Sequence, residues 1–154
     1  VEQYQNKKQR IISIIPFEKK CVFEDITISN FSNRSRAFVK IQDGCENHCT
    51  YCIIPQARGP IRSKPLDILK TEVETLAKNG HCEIVLVGIN LTSYGLDLGE
   101  IDIIDAVQTV NSVDGIERIR LGSLEPEALS TKHICALSKI SKFCPHFRIS
   151  LQHL

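Results

Sequence analysis

Three cysteines that lie within eight residues are the part of this sequence best suited to chemistry. Cys45, Cys49 and Cys52 have the spacing C-x3-C-x2-C and follow a stretch that is typical of a β-strand. Thiolates are soft ligands, and close groups of them bind iron–sulfur clusters or zinc. A cubane cluster has four irons, so three cysteines would leave one iron open to bind a small molecule.

Zinc and simple burial are the alternatives for these cysteines. A structural zinc site commonly has four ligands in two pairs, and only Cys49 and Cys52 form such a pair, although His48 or His81 could complete the set. Cysteines can also be small buried residues, but three on one short loop with glycine and asparagine favour a metal. The seven cysteines are an odd number and no secretory signal opens the chain, which disfavours a disulfide framework.

The composition is that of a globular chain. Its 154 residues suffice for one domain, and 42% hydrophobic with 24% charged residues is typical of a water-soluble protein. The net charge of +1 neither requires nor excludes a nucleic-acid partner. No apolar run approaches the roughly 18 residues of a membrane helix, and we expect a cytoplasmic protein without membrane contact. Because the sequence contains no methionine, we expect it to be a piece of a longer protein.

Strands and helices alternate along the chain and predict a parallel sheet. Apolar patterns predict strands at 37–41, 83–88, 116–121 and 147–151. Helical spacing predicts one helix from Pro65, one from near Gly99, and one that follows a Ser130 N-cap and reaches Ile140. This order indicates an α/β fold with right-handed crossovers. In such sheets the chemistry lies at the carboxyl ends of the strands, where the cysteine loop is predicted.

The cysteine loop resembles the cluster loop of radical S-adenosylmethionine (SAM) enzymes, whose signature is C-x3-C-x-aromatic-C, with Tyr51 as the aromatic residue. Its flanks are similar to the MiaB-like methylthiotransferases, and most similar to their MtaB branch, through D-G-C at 43–45, C-I-I-P at 52–55 and A-R-G at 57–59. The resemblance implies a partial (β/α) barrel with about four of six parallel strands present. It implies that 1–36 is the tail of an N-terminal methylthiotransferase domain and its linker, and that 37–154 begins the radical SAM core.

The resemblance also implies a cofactor site. It assigns a [4Fe-4S] cluster to the three cysteines, with SAM on the open iron. The implied SAM-binding residues are Tyr51, Gly88, Asn90, Ser123, Glu125 and Gln152. From the residues alone, the loop at 88–95 is interpreted as a turn. At Gln152 the sequence departs from the family pattern, because His-Leu follows where the family usually has Ser-Gly. Arg58 is the candidate for substrate binding, and the residues alone leave open a surface arginine. The remaining cysteines are interpreted as structural: Cys21, Cys82, Cys135 and Cys144.

The implied function is that of a tRNA-modifying transferase. It would add a methylthio group to C2 of N6-threonylcarbamoyladenosine at position 37 of tRNA through a 5′-deoxyadenosyl radical. The resemblance further implies a second [4Fe-4S] cluster in a missing N-terminal domain, the tRNA anticodon loop as partner, and a reductant protein as electron donor. The alternatives are a radical SAM methylthiotransferase for isopentenyladenosine in tRNA or for a ribosomal protein, and a non-catalytic metal-binding remnant. No side chain is assigned as catalytic, because the cofactor carries the hard step.

Overall fold

A computed structural model describes residues 22–24, 26–31, 34–126 and 130–151 of the chain. Within these residues, the strands and helices that the sequence predicts follow one another in the predicted order, with a short helix and two short strands in addition. The strands are β1 Arg36–Asp43, β2 Arg62–Ser63, β3 Glu83–Gly88, β4 Arg118–Leu121, β5 Ser123–Leu124 and β6 Arg148–Ile149. The α-helices are α1 Ile54–Arg58, α2 Leu66–Lys78, α3 Ile103–Asn111 and α4 Thr131–Leu137, and a 3-10 helix spans Leu91–Ser93.

The central sheet has the strand order β2-β1-β3-β4. β1, β3 and β4 are parallel, and the short β2 returns antiparallel to the end of β1. β5 continues from β4 after Gly122 and pairs in parallel with β6 as a separate two-stranded sheet. The predicted α/β class and partial barrel are confirmed. The fourth predicted strand is shorter than expected, since only Arg148 and Ile149 of the range 147–151 pair.

One face of the sheet is buried against the helices. Along β1, Ala37, Val39 and Ile41 are fully buried, while the residues between them point to the other face and are exposed. This alternation arises because successive side chains of a strand point to opposite faces. The buried stripe of α2 packs against β1 and that of α3 against β4, and the two helices contact each other. The helices therefore hold the sheet from one side and leave the carboxyl ends of the strands to the loops.

The helix starts and ends follow local capping chemistry. α2 begins directly after Pro65 and Ser130 caps α4, as predicted. The helix predicted from near Gly99 begins only at Ile103, because Asp102 forms a capping box with Asp105, whereas Gly99 has φ +100°. α4 ends at Leu137 and not at Ile140. A turn follows, after which the Lys142 carbonyl accepts from the backbone N–H of Ile119 on β4. The strand predicted at 116–121 begins at Arg118.

The segment before β1 packs on the outside of α2. The backbone N–H of Ile28 donates to Glu72 Oε1 at 3.0 Å, and the N–H of Phe31 donates to His81 Nε2 at 3.1 Å. The other oxygen of Glu72 forms a buried ion pair with Lys64. Within this segment, Phe31 also packs against the hydrophobic core. Within the described ranges, none of the helices has the length and apolar character needed to cross a bilayer.

Candidate metal centre and cofactor site

The cysteine loop leaves β1 through a glycine turn. Gly44 has φ +76°, and a Cβ added there would lie 1.9 Å from the carbonyl oxygen of Pro60, so this close approach requires glycine. The next residue, Cys45, donates its backbone N–H to the carbonyl of Gly59 at 3.2 Å. The two ends of the loop are therefore in contact, and this contact fixes the first cysteine against the fold.

A nearly buried carboxylate lies at the base of the loop. Asp43 Oδ1 accepts a hydrogen bond from the backbone N–H of Gly44 at 2.8 Å, and Oδ2 is paired with Lys40. Burial alone would raise the pKa of Asp43, but the hydrogen bonds from Lys40 and Gly44 and the charge of Arg62 outweigh it, so the pKa lies below its ordinary value. Asp43 is thus held as a carboxylate that orders the start of the loop.

The returning half of the loop is held by an arginine on β2. Arg62 is buried, and its Nη1 donates to the carbonyls of Arg58 at 2.8 Å and Pro60 at 3.1 Å. Those carbonyls lie at the end of α1 and just beyond it, where a helix has unpaired acceptors. Arg62 Nη2 is also 3.5 Å from Asp43 Oδ2. One side chain therefore joins the return of the loop to its start.

The opposite wall comes from the loop after β3. Asn90 is buried, its backbone N–H donates to Gln42 Oε1 at 2.7 Å, and its side-chain Nδ2 lies 3.9 Å from Cys45 Sγ. Its Oδ1 is buried and has no hydrogen-bond partner among the described residues. This loop is also tied to β2, because Ser63 Oγ accepts from the N–H of Gly95 and Asp97 accepts from the N–H of Ser63. The cysteine loop and the loop after β3 therefore face each other at the carboxyl end of the sheet.

A cavity of about 490 Å³ lies between these loops. Six of the residues predicted to bind the cluster or SAM line it together: Cys45, Cys49, Tyr51, Cys52, Asn90 and Glu125. The pKa of the Tyr51 phenol is raised above its ordinary value by loss of hydration and then by the charges of Cys49, Cys52 and Glu125. The cavity is large enough for a small-molecule ligand.

Four other predicted residues are placed differently. Gly88 is not among the lining residues and lies beneath the cavity, where an added Cβ would be 2.9 Å from Gln42 Cβ. Ser123 is exposed on β5 and is likewise not in the lining. Arg58 ends α1 and lies 3.8 Å from Asp43 Oδ2, so it contacts the base of the loop. Gln152, like Cys21, falls outside the described residues.

Several residues of the site were not identified from the sequence. Gln42 and Asp43 organise the loop from below, and the lining also includes Asn47, Thr92 and Ser93. By the alternation of β1, Gln42 would be expected on the exposed face of the strand with Phe38 and Lys40. It is nevertheless fully buried. A polar residue at the end of a predicted buried strand, next to the cysteines, was the available signal.

The donor set suits a cluster that takes several thiolates. The three cysteines are free, and Cys49 is exposed while Cys45 and Cys52 are half-buried. In the described part of the chain, no three Cys, His, Asp or Glu side chains gather tightly enough to share one metal ion. Thiols on a loop at a cavity, with the amide of Asn90 close to one sulfur, match the ligands and the hydrogen-bonding surroundings of protein-bound iron–sulfur clusters.

The fold and the cavity define a class of α/β half-barrel protein with a three-cysteine site at the carboxyl ends of its strands. Comparison with known families makes this specific, because residues 39–154 match the family described as the Radical SAM superfamily. The chain belongs to the radical SAM superfamily. A solved radical S-adenosylmethionine methyltransferase, TsrM from Kitasatospora setae, has the same fold with a TM-score of 0.56 at 17% identity, over 76% of this chain and 22% of that one.

Curated relatives fall under two names. The chain is 38% identical over 148 residues to the threonylcarbamoyladenosine tRNA methylthiotransferase MtaB of Thermotoga maritima, covering 96% of this chain and 33% of that protein. It is 40% identical over 149 residues to the tRNA-2-methylthio-N(6)-dimethylallyladenosine synthase of Thermoanaerobacter sp. (strain X514), covering 96% of this chain and 31% of that protein. The chain therefore spans about a third of the length of these relatives. The two sequence identities are too similar to assign the chain to one of the two enzyme groups.

Proposed function

We propose that this chain carries the cluster-binding half of the catalytic core of a tRNA methylthiotransferase. The observation that supports this most strongly is the shared cavity that joins Cys45, Cys49 and Cys52 to Asn90 and Glu125. Both names found among the relatives describe enzymes that modify tRNA with a methylthio group. Because the chain spans about a third of those relatives, the transfer reaction is proposed for a protein that contains it.

The three cysteine thiolates would hold a [4Fe-4S] cluster, and Asn90 and Glu125 would face SAM across the cavity. When bound, these cofactors supply one-electron cleavage of SAM, which is chemistry able to remove hydrogen from an unactivated carbon. The protein's own residues would bind and orient the cluster and SAM. Gly44, Asp43 and Arg62 fix the loop, and Asn90 supplies an amide beside the Cys45 sulfur.

The substrate we propose is N6-threonylcarbamoyladenosine in the anticodon loop of tRNA, methylthiolated at C2. The similarity to the MtaB of Thermotoga maritima supports it. The comparable similarity to a dimethylallyladenosine synthase makes that nucleoside the second candidate. A reductant protein, a second cluster outside this chain and a cytoplasmic location belong to the same proposal. Arg58, which is half-exposed beside the loop, is the proposed contact to the RNA substrate.

Metal analysis after anaerobic iron–sulfur reconstitution tests the site. We expect about four irons per chain, a reduced cluster visible by electron paramagnetic resonance, and a spectrum that changes when SAM is added. The variant Cys49→Ala is expected to lose the cluster. The matched control is Cys135→Ala, because Cys135 is also exposed but lies on α4. Zinc in place of iron, or a spectrum indifferent to SAM, would contradict the proposal.

Nucleoside analysis tests the substrate. Full-length protein is incubated with SAM, a reductant and tRNAs that carry either threonylcarbamoyladenosine or dimethylallyladenosine, and the digested nucleosides are identified by mass spectrometry. We expect the methylthio product only from the first tRNA. A product only from the second would assign the chain to the other group of relatives, and product from neither, with the cluster loaded, would refute the transfer reaction.

A further inference from the structure

Gln42 joins the two loops that form the cavity. It is the penultimate residue of β1, and it is fully buried. Its side-chain Nε2 donates to the carbonyls of Asp43 at 3.0 Å and Gly44 at 2.7 Å, while Oε1 accepts from the backbone N–H of Asn90 at 2.7 Å. The orientation of the amide is determined by these partners, because a carbonyl can only accept and an N–H can only donate.

This side chain acts where the regular pairing of the sheet stops. The register between β1 and β3 shifts between Lys40 and Gln42, and the last pair is Gln42 with Gly88. Beyond that pair, the Gln42 amide links the end of β1 to the loop after β3, where the backbone pairing has ended. Gly88 leaves the room for it, since a Cβ there would be 3.0 Å from Gln42 Oε1. Gly88 is therefore explained by the fit of Gln42 within the fold.

Each end of the bridge leads directly to the cavity. Gly44, held by Nε2, is followed by Cys45, the first of the three cysteines. Asn90, held by Oε1, lines the cavity and places its Nδ2 3.9 Å from Cys45 Sγ. The length of one glutamine side chain thus sets the separation between the first thiol and the opposite wall.

We propose that Gln42 is a positioning residue for SAM, which acts by holding the Asn90 loop at a fixed distance from the first cluster cysteine. This inference rests on the proposed function, because it assumes that SAM binds between the cluster and the Asn90 wall. It adds a role that the cysteines themselves cannot perform. They anchor the cluster, and Gln42 aligns the far side of the cavity with it.

The variants Gln42→Met and Gln42→Glu test the proposal. Methionine keeps the length of the side chain and removes every hydrogen bond, whereas glutamate keeps an acceptor for the Asn90 N–H and loses the donors. In the reconstituted protein we expect wild-type iron content in Gln42→Met but at least about a tenfold weaker SAM affinity, which corresponds to about 1.4 kcal/mol. The affinity is read from the SAM-dependent change in the electron paramagnetic resonance spectrum.

Amide hydrogen exchange in the protein without its cluster provides the second measurement. The Asn90 N–H should exchange faster in Gln42→Met and stay protected in Gln42→Glu, because only glutamate retains the acceptor. Val73→Ala is the matched control, since Val73 is fully buried on α2 and is not among the residues that line the cavity. It should lower stability without changing the affinity for SAM or the Asn90 exchange rate.

The possible outcomes separate this inference from the proposed function. Unchanged SAM affinity in Gln42→Met, or an equal loss in Val73→Ala, would overturn the role of Gln42. Loss of iron in both Gln42 variants would also overturn it, because it would show a general requirement for folding of the loop. If the wild-type protein takes up iron but not SAM, the proposed function fails. Unchanged exchange of the Asn90 N–H in Gln42→Met would independently refute the Gln42 bridge.

Discussion

Two carboxylates at opposite ends of the sheet each face three cations. Glu83 begins β3 at the amino end of the sheet and is paired with Arg36, Arg118 and Arg120. Asp43 ends β1 at the carboxyl end and lies close to three cations of its own: Lys40, Arg58 and Arg62. Both carboxylates are nearly buried. The same grouping of charges therefore occurs twice, in regions with different tasks.

The contacts of Glu83 tie strands to one another. All three arginines lie within hydrogen-bond distance of its oxygens, at 2.6 Å for Arg36 and 2.9 Å for both Arg118 and Arg120. Since these partners come from β1 and β4, one carboxylate crosslinks three neighbouring strands. The amino end of the sheet is thereby stabilised without any residue of the cavity.

The contacts of Asp43 organise a loop. Lys40 Nζ and the Gly44 N–H donate to the carboxylate, while Arg62 Nη2 and Arg58 Nη1 lie 3.5 and 3.8 Å from its Oδ2. Arg62 Nη1 donates to two backbone carbonyls of the loop. The difference teaches that equal charge counts can serve stability at one end of a strand and the shape of a binding loop at the other, as in barrel enzymes.

Replacing Glu83 should have the largest effect on stability. The variant Glu83→Gln would keep the shape of the side chain but lose the charge that three arginines share, so its free energy of unfolding should fall by about 2 kcal/mol. The loss is smaller than for a fully buried pair because the arginines are partly exposed to water. Urea unfolding of wild type and variant measures it. The iron content should remain unchanged, and a loss of iron would show that the two ends are coupled.

Replacing Asp43 should affect the loop more than the fold. The variant Asp43→Asn keeps an acceptor for the Gly44 N–H but places an amide against Lys40 and Arg62, and stability should fall by about 1 kcal/mol. Iron content after reconstitution should fall clearly below that of wild type. If Asp43→Asn instead matched Glu83→Gln, with a large stability loss and full iron content, the contrast between the two ends would be wrong.

Lowering the pH should have the smallest of these effects on stability. Burial opposes ionisation of both groups, but the hydrogen bonds and charges around them hold the pKa of Asp43 and that of Glu83 below their ordinary values. A lowered pKa stabilises the fold above the unfolded value and loses that contribution as the pH falls through the folded value. Urea unfolding below about pH 4.5 should therefore show the gap between wild type and Glu83→Gln closing. A gap that widened with acid would contradict this sign.

The sequence predicts the fold well where one local pattern decides the structure. The strand at Glu83–Gly88 agrees with its prediction because a continuous apolar run suits only a buried strand there, and the start of α2 follows from Pro65. The short β2 was missed because two residues carry no periodicity, and its pairing depends on the return of the cysteine loop. α3 was predicted to begin too early because Asp102, rather than Gly99, holds its first turn.

The cavity, too, could be predicted only where local sequence patterns determine it. The three cysteines, Tyr51, Asn90 and Glu125 could be named from motif and resemblance, since each lies in a segment that follows a predicted strand. The role of Gln42 could not, because it depends on Asn90, which is far away in the sequence. Contacts of this kind appear only when the register of two strands is known. The assignment of the predicted site residues to ligand binding stays a prediction, both for those that line the cavity and for those that do not.

The bridge from Gln42 to Asn90 also has a consequence for when the cysteine loop can fold during translation. The ribosome completes the three cysteines before it makes β3 and the loop that follows it. Until then the start of the cysteine loop lacks the partner that holds Gln42, and β1 lacks its neighbour in the sheet. The loop therefore reaches its final shape only after β3 has been translated and paired, and the delivery of iron and sulfide to a nascent chain is best timed after that step.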